Sequence, residues 1–378
     1  MQDPEDIKLS VQEFDTEVES EDLDSIDLME KPFNPTEIDI TTKPLTIDLL
    51  IKRLKADPVE INLAPAFQRK GDLWNEKKQS QLIESLLIKF PLPAFYFDGT
   101  DNNEWLVVDG LQRLSALRNF VVEKTLKLTG LEFLNKLEGY GFDDLPRNLQ
   151  RQIEEAQITA YIINAGTPDE VKFNIFKRIN TGGLTLNSQE IRHALNQGIP
   201  AKFVEELAKL EEFRQATGKI NSERMLDREF ITRFLAFTIK PISEYRPDLD
   251  TFMNEKMAEI KSLSNIERES IKTNFISSMR LAKEIFGEFA FRKVFNSHDR
   301  RRPINKALFE VWSAELSRLS EESRNKLKAN GDFLFNSFIK IMKDDVFIAS
   351  ITSATGDKTR VSYRYSKIQS IINETLLL

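Results

Sequence analysis

The spacing of apolar residues changes character once along the chain, and that change limits the fold more than any other feature. From about residue 188 to 345 the pattern is almost exclusively helical, over 188–196, 200–212, 226–240, 265–287, 304–319 and 331–343. Residues 46–180 instead mix helices with short strands. Thr46 caps a helix carrying Ile47, Leu49, Leu50 and Leu54 and closed by Pro58, residues 59–68 read as extended, and Asn75 opens an amphipathic helix with Leu82, Ile83, Leu86 and Leu87 on one face. Pro91, Leu92 and Pro93 end it. Residues 94–97 and 104–108 then read as two strands of a hairpin across a turn-rich 98–103. Helical spacing returns after Gly110 (Leu114, Leu117, Phe120, Val121), followed by a helix over 146–155, a buried strand over 158–163 and a helix over 167–179. The pattern predicts an α/β domain with a small mixed sheet over about 41–185 and a mainly α-helical domain over about 186–378, with a further strand and a last helix in 346–378.

Charge is distributed unevenly. Residues 1–40 hold 14 of the 60 acidic residues and 2 of the 53 basic ones, so this arm carries −12 and the remainder +5, although the whole chain sums to −7. Dense carboxylates with sparse apolar residues cannot bury enough surface to offset chain entropy, so residues 1–40 read as a disordered acidic arm. A second reading has Val11, Phe14, Ile26, Leu28 and Met29 docking on a partner or on the basic body. The absence of cysteine excludes disulfides, cysteine-ligated metals and a cysteine nucleophile, and two histidines, His193 and His298, argue against a histidine-rich metal centre or a serine-histidine triad. No apolar run reaches the ~18 residues that span a bilayer and no secretory signal stands at the start, so a cytoplasmic protein without membrane contact is expected.

Four groups of residues have the types that carry chemistry. In Trp105-Leu-Val-Val-Asp109-Gly110-Leu111-Gln112-Arg113 a strand turns through glycine into a helix. Free helix N–H groups and the guanidinium fork of Arg113 suit phosphate, Asp109 suits a divalent metal or an attacking water, and Gln112 suits the positioning of that water. The alternative is a turn in which Arg113 merely pairs with Asp109. Gln68, Arg69 and Trp74 precede a helix, where Gln68 and Arg69 can donate to phosphate while Trp74 stacks or anchors the helix. Asn180, Thr181, Gly182 and Gly183 follow a helix, as a cap or as amide donors to a ligand, and Asn187 or Ser188 caps the next helix, with Glu190 and Glu223 as surface carboxylates. Arg292 and Lys293 precede His298-Asp299-Arg300-Arg301-Arg302, where the three arginines contact duplex DNA or form a solvated loop. Arg224, Asp227, Arg360 and Arg364 are either ion-pair elements or parts of an anion pocket.

The order of Phe67-Gln68-Arg69, Trp74, Leu82-Ile83-Glu84-Ser85, Pro91-Leu92-Pro93, Asp109-Gly110-Leu111-Gln112-Arg113 and Ile179-Asn180-Thr181-Gly182-Gly183 resembles the N-terminal domain of GmrSD-type type IV restriction proteins. That family is marked by a DGQQR motif on a ParB/sulfiredoxin-like fold. The resemblance covers roughly residues 45–240 by motifs. It implies binding and hydrolysis of a nucleoside triphosphate with magnesium in a phage-defence or toxin-linked system. Asp109, Gln112 and Arg113 would be catalytic, and Gln68, Arg69, Gly110, Asn180, Thr181 and Gly182 would contact nucleotide. Leu111 stands where the family motif has glutamine: a glutamine that touched nucleotide would be a loss, one that faced the core a neutral change. With no histidine after His298, a C-terminal histidine-containing nuclease is not expected, and cutting or killing would fall to a separately encoded nuclease or toxin. A DNA-binding module without hydrolysis, or the regulator of a partner toxin, are the other classes consistent with these residues. Oligomeric state is not legible.

Overall fold

The computed structural model describes residues 17–19, 35–63, 74–101, 103–179, 186–222 and 224–378. Two compact units divide between Leu195 and Asn196, with residues 17–19 belonging to the second. No helix among the described residues is long and apolar enough to cross a membrane.

The first unit is a five-stranded mixed sheet with helices on both faces. Its elements are β1 (Ile40–Thr46), α1 (Ile47–Lys55), β2 (Ile61–Asn62), α2 (Glu76–Leu87), β3 (Phe95–Asp98), β4 (Trp105–Asp109), α3 (Leu111–Leu117), α4 (Arg147–Glu155), β5 (Gln157–Ile163), α5 (Asp169–Ile179) and α6 (Ser188–Leu195). A turn of π-helix, Arg118–Val122, continues α3. The strand order is β1-β5-β3-β4-β2. β3 and β4 form the expected antiparallel hairpin, and β3 runs parallel to β5. Alternation of side chains across the pleat assigns the two faces. Phe95, Phe97, Trp105, Val107, Ala160 and Ile162 join α1, α2 and α3 in one core, while Val108 and Ile163 meet Phe173 and Phe176 of α5 and Ile191 of α6 in another.

β1 departs from expectation, since its first residue falls in what reads as disordered arm and Pro44 argues against a strand. It sits at the sheet edge, where proline is tolerated, and pairs antiparallel with β5 from Ile40↔Ile163 to Thr46↔Gln157. Of the rest of the arm, residues 1–16 and 20–34 lie outside the described residues. Residues 17–19 are held in place: Val18 bridges Ile304, and Glu19 N donates to the carbonyl of Ile304 at 2.8 Å.

The second unit is helical: α7 (Ile199–Ala208), α8 (Glu211–Thr217), α9 (Leu226–Ile239), α10 (Leu249–Glu259), α11 (Asn265–Phe286), α12 (Lys306–Ser317), α13 (Glu321–Ala329), α14 (Gly331–Ile341), α15 (Asp345–Thr352) and α16 (Lys358–Leu376). The expected helix over 200–212 breaks at Lys209 and Leu210, which lets Leu207 and Phe213 reach one core. The strand expected after 346 is the helix α15 instead. Asp344 caps it by accepting from Val346 N at 2.9 Å, and Phe347 and Ile351, four apart, enter the core. Arg364 resolves as an ion-pair element: on α16 it meets Glu310 of α12 at 2.6 Å with both side chains fully buried, and Arg233 of α9 lies 3.7 Å from the same carboxylate. Arg360 donates to the carbonyl of Ser353 and closes the turn before α16.

Candidate functional site

The expected turn lies at the end of β4. Asp109 is its last residue, Gly110 takes φ +103°, and α3 begins at Leu111. A side chain at Gly110 would meet a positive φ and run into the Phe95 ring, so position and conformation both require glycine. Leu111 packs, partly buried, against the core of α1, α2 and α3. Of the two roles open to that position, the core-facing one is occupied here.

Arg113 differs from expectation. Its guanidinium donates to the carbonyls of Pro93 and Ala94 (3.1 Å for the latter) and to Asp109 Oδ2 at 2.8 Å, and it lies over the Phe95 ring at 4.3 Å. The side chain is 10% exposed, whereas that of Asp109 is 37% exposed. The fork expected to hold phosphate is therefore spent on backbone carbonyls of the segment entering β3, and it fixes the Asp109 carboxylate. Burial, against which Asp109 acts in the opposite sense, holds the Arg113 guanidinium below its usual range.

Gln112 is also engaged. Its Oε1 accepts the backbone N–H of Trp74 at 2.8 Å, Trp74 O accepts from Gln79 Nε2 at 2.6 Å, and Gln79 Oε1 accepts from Asn119 Nδ2 at 3.0 Å. This chain of bonds ties the turn to the residue that follows the Gln68 and Arg69 stretch. Gln68, Arg69, Asn180, Thr181 and Gly182 themselves lie outside the described residues.

One residue beside Asp109 was not anticipated. Tyr96 pairs with Asp109 across β3 and β4, and its ring stacks on Tyr161 of β5 at 4.8 Å and 19°. Burial, then the neighbouring Tyr161 and Asp109, raises the Tyr96 phenol above its usual range. The signal was present in Phe95-Tyr96-Phe97, where strand alternation turns the central ring away from its neighbours. Glu190, expected at the surface, is buried in a capping box with Asn187: Glu190 N donates to Asn187 Oδ1 at 2.8 Å and Asn187 N to Glu190 Oε2 at 2.7 Å.

The model of the family described as GmrSD restriction endonuclease, N-terminal domain, matches residues 50–196. Residues 50–196 form a GmrSD-type N-terminal domain. No curated protein and no solved structure matches the chain. The match ends beside the Leu195–Asn196 division, and the GmrSD-type domain therefore contains β2 to β5 and the whole Asp109 turn. Among the described residues no three His, Cys, Asp or Glu side chains come together as a metal site. A magnesium ion in the GmrSD-type domain would be held by Asp109 with most of its remaining ligands from nucleotide phosphate and water, a mode common for that ion.

Proposed function

We propose that this chain is the nucleotide-hydrolysing sensor or regulator of a restriction-type phage-defence system. The family of its first unit supports the association with restriction. The observation that carries the chemistry is the Asp109 carboxylate, fixed through one oxygen by Arg113 yet more than a third exposed at the mouth of a glycine turn. A carboxylate so placed can orient a water for in-line attack. The water oxygen bonds to the γ-phosphorus, the bond from that phosphorus to the β,γ-bridging oxygen breaks, and the water proton leaves by way of Asp109. Magnesium, when bound with the nucleotide, would neutralise charge on the phosphates. Arg113 and Gln112 act as positioning residues, one on Asp109 and the other on Trp74. With Arg113 committed inward, Arg69 is the cation left in the motif set to contact phosphate, with Gln68, Gly110, Asn180, Thr181 and Gly182 as further nucleotide contacts. A separately encoded nuclease or toxin is the proposed effector.

Phosphate release from each of the four ribonucleoside triphosphates with magnesium, with and without duplex DNA, tests this reading. At least one nucleotide is expected to turn over, and Asp109→Asn to lower the rate by about 100-fold or more while binding persists. Arg113→Ala is expected to lose turnover together with thermal stability. Absence of release from all four nucleotides would overturn hydrolysis.

A further inference from the structure

Tyr96 faces Asp109 because the β3–β4 hairpin is irregular there. Phe97 pairs with Val107, and an unbroken antiparallel register would set Tyr96 opposite Val108. Instead the register shifts between Tyr96 and Phe97, and Tyr96 pairs with Asp109. A bulge of this kind, one extra residue on one strand, re-aims a side chain. Val108 is the extra residue, and it enters the core with Phe173, Phe176 and Ile191. Asp109 is thereby carried on to the place across from Tyr96, at the end of β4 where the glycine turn begins.

The Tyr96 ring is held in one attitude. In the parallel β3–β5 ladder Tyr96 pairs with Tyr161, and the two rings stack at 4.8 Å and 19°. Neighbouring strands are about 4.8 Å apart, so the stack runs along the inter-strand direction. One face of Tyr96 therefore lies on Tyr161, and the other is turned towards β4, on the side of Asp109. The hydroxyl holds nothing in the fold. Among the described residues neither it nor that of Tyr161 makes a hydrogen bond, whereas Tyr245 and Tyr363 donate theirs to the Gly356 carbonyl and to Asp344 Oδ2. On one sheet face a tyrosine hydroxyl stands farther from the backbone than the carboxylate of an aspartate on the next strand. A phosphoryl group attacked by a water on Asp109 also lies beyond that carboxylate. The Arg113 guanidinium, spent on Pro93, Ala94 and Asp109, leaves the phosphoryl oxygens to another donor.

We propose that Tyr96 is a catalytic residue whose hydroxyl donates a hydrogen bond to a non-bridging oxygen of the γ-phosphate, a role that rests on Asp109 orienting the attacking water. Tyr161 is a positioning residue, holding the ring by its stack. Tyr96 keeps its proton throughout. The bond made is from the water oxygen to the γ-phosphorus, the bond broken is from that phosphorus to the β,γ-bridging oxygen, and the water proton leaves by way of Asp109. Charge on the transferred group spreads over its equatorial oxygens, and a donor fixed in place before the reaction meets it without reorganising.

The test measures phosphate release with magnesium and the nucleotide that the native chain turns over fastest, together with the Kd of a fluorescent analogue of that nucleotide. Full-length native protein is compared with Tyr96→Phe, Tyr96→Leu, Asp109→Asn, Tyr161→Leu and the pair Tyr96→Phe, Tyr161→Leu. Tyr96→Phe removes the hydroxyl and keeps the ring, so its thermal midpoint is expected to match that of the native chain. Its kcat is expected to fall about tenfold or more, with Kd within about threefold. Tyr161→Leu is expected to lower kcat severalfold in the native background and to add little to Tyr96→Phe, since it acts through the hydroxyl. Native turnover in Tyr96→Phe, with turnover lost in Asp109→Asn, would overturn the role of Tyr96 and leave that of Asp109 standing. Turnover kept in Tyr96→Phe but lost in Tyr96→Leu would overturn it as well and assign the ring a stacking role. A weakening of Kd that accounts for the whole loss would overturn a contact made in the transition state. Absence of phosphate release from the native chain would overturn both roles together.

Discussion

Gln112 accepts the backbone N–H of Trp74 at 2.8 Å, and Trp74 in turn is held by Gln79. The bond joins the start of α3 to the residue before α2, so the turn after β4 and the chain leading into α2 are positioned together.

Gln112→Ala is therefore expected to cost about 1 kcal/mol of stability and to weaken nucleotide binding severalfold, although the residue itself need not touch nucleotide. Gln112→Glu keeps an acceptor for the Trp74 N–H and is expected to restore binding in large part. Titration of both variants with a fluorescent nucleotide checks this. A direct nucleotide contact through the side-chain amide would leave the Glu variant as weak as the Ala variant.

Gly110→Ala combines a left-handed backbone with a collision at Phe95. The expected loss is about 2–3 kcal/mol, read as a lower denaturant midpoint with an unchanged slope. Adding Phe95→Ala relieves the collision but opens a core cavity, so the double variant should be no more stable than Gly110→Ala. A fully stable Gly110→Ala protein would show that the turn can adopt another conformation.

Glu84 of α2 is buried and accepts three backbone N–H groups, from Glu132 at 3.0 Å and from Phe133 and Leu134 at 2.7 Å each. Burial alone would raise its carboxyl, but the three donors outweigh it and hold the group below the usual carboxylate range. A carboxyl depressed in the folded state contributes stability that is present above its unfolded value and lost as pH falls through the folded one. Stability measured from pH 7 to pH 3 should therefore fall in the acid limb. Glu84→Gln should be less stable by about 2–3 kcal/mol at pH 7 and should show a shallower acid limb. An identical acid limb in both proteins would assign the pH dependence to other groups.

Most of the first unit's helices and the β3–β4 hairpin were legible because local chemistry and periodicity agree there. Thr46 and Asn75 cap α1 and α2 by accepting from Leu49 N and Lys78 N, as their side chains predict. β1 and α15 were not legible. Ile-Thr-Thr-Lys-Pro-Leu-Thr carries no inward alternation of its own, and only antiparallel pairing with β5, more than a hundred residues on, makes it a strand. In α15 the β-branched residues favour a strand locally, but the cap of Asp344 and the burial of Phe347 and Ile351 override that preference.

The same division runs through the candidate site. By itself the sequence determined that a strand passes through Asp109 and Gly110 into a helix, because glycine after a strand and before helical spacing permits little else. It also determined the charge asymmetry between the arm and the body. Only the tertiary structure decided what the polar groups do. Arg113 turns inward because the carbonyls of Pro93 and Ala94 and the face of Phe95 lie within its reach, and an exposed Asp109 is left as the chemical group of the turn. Glu17 and Glu19 lie against Ile304 for a comparable reason. Backbone donors and acceptors that are far apart in sequence become neighbours on folding, and an isolated β-bridge forms at Val18 where the local residues alone predict only solvated chain.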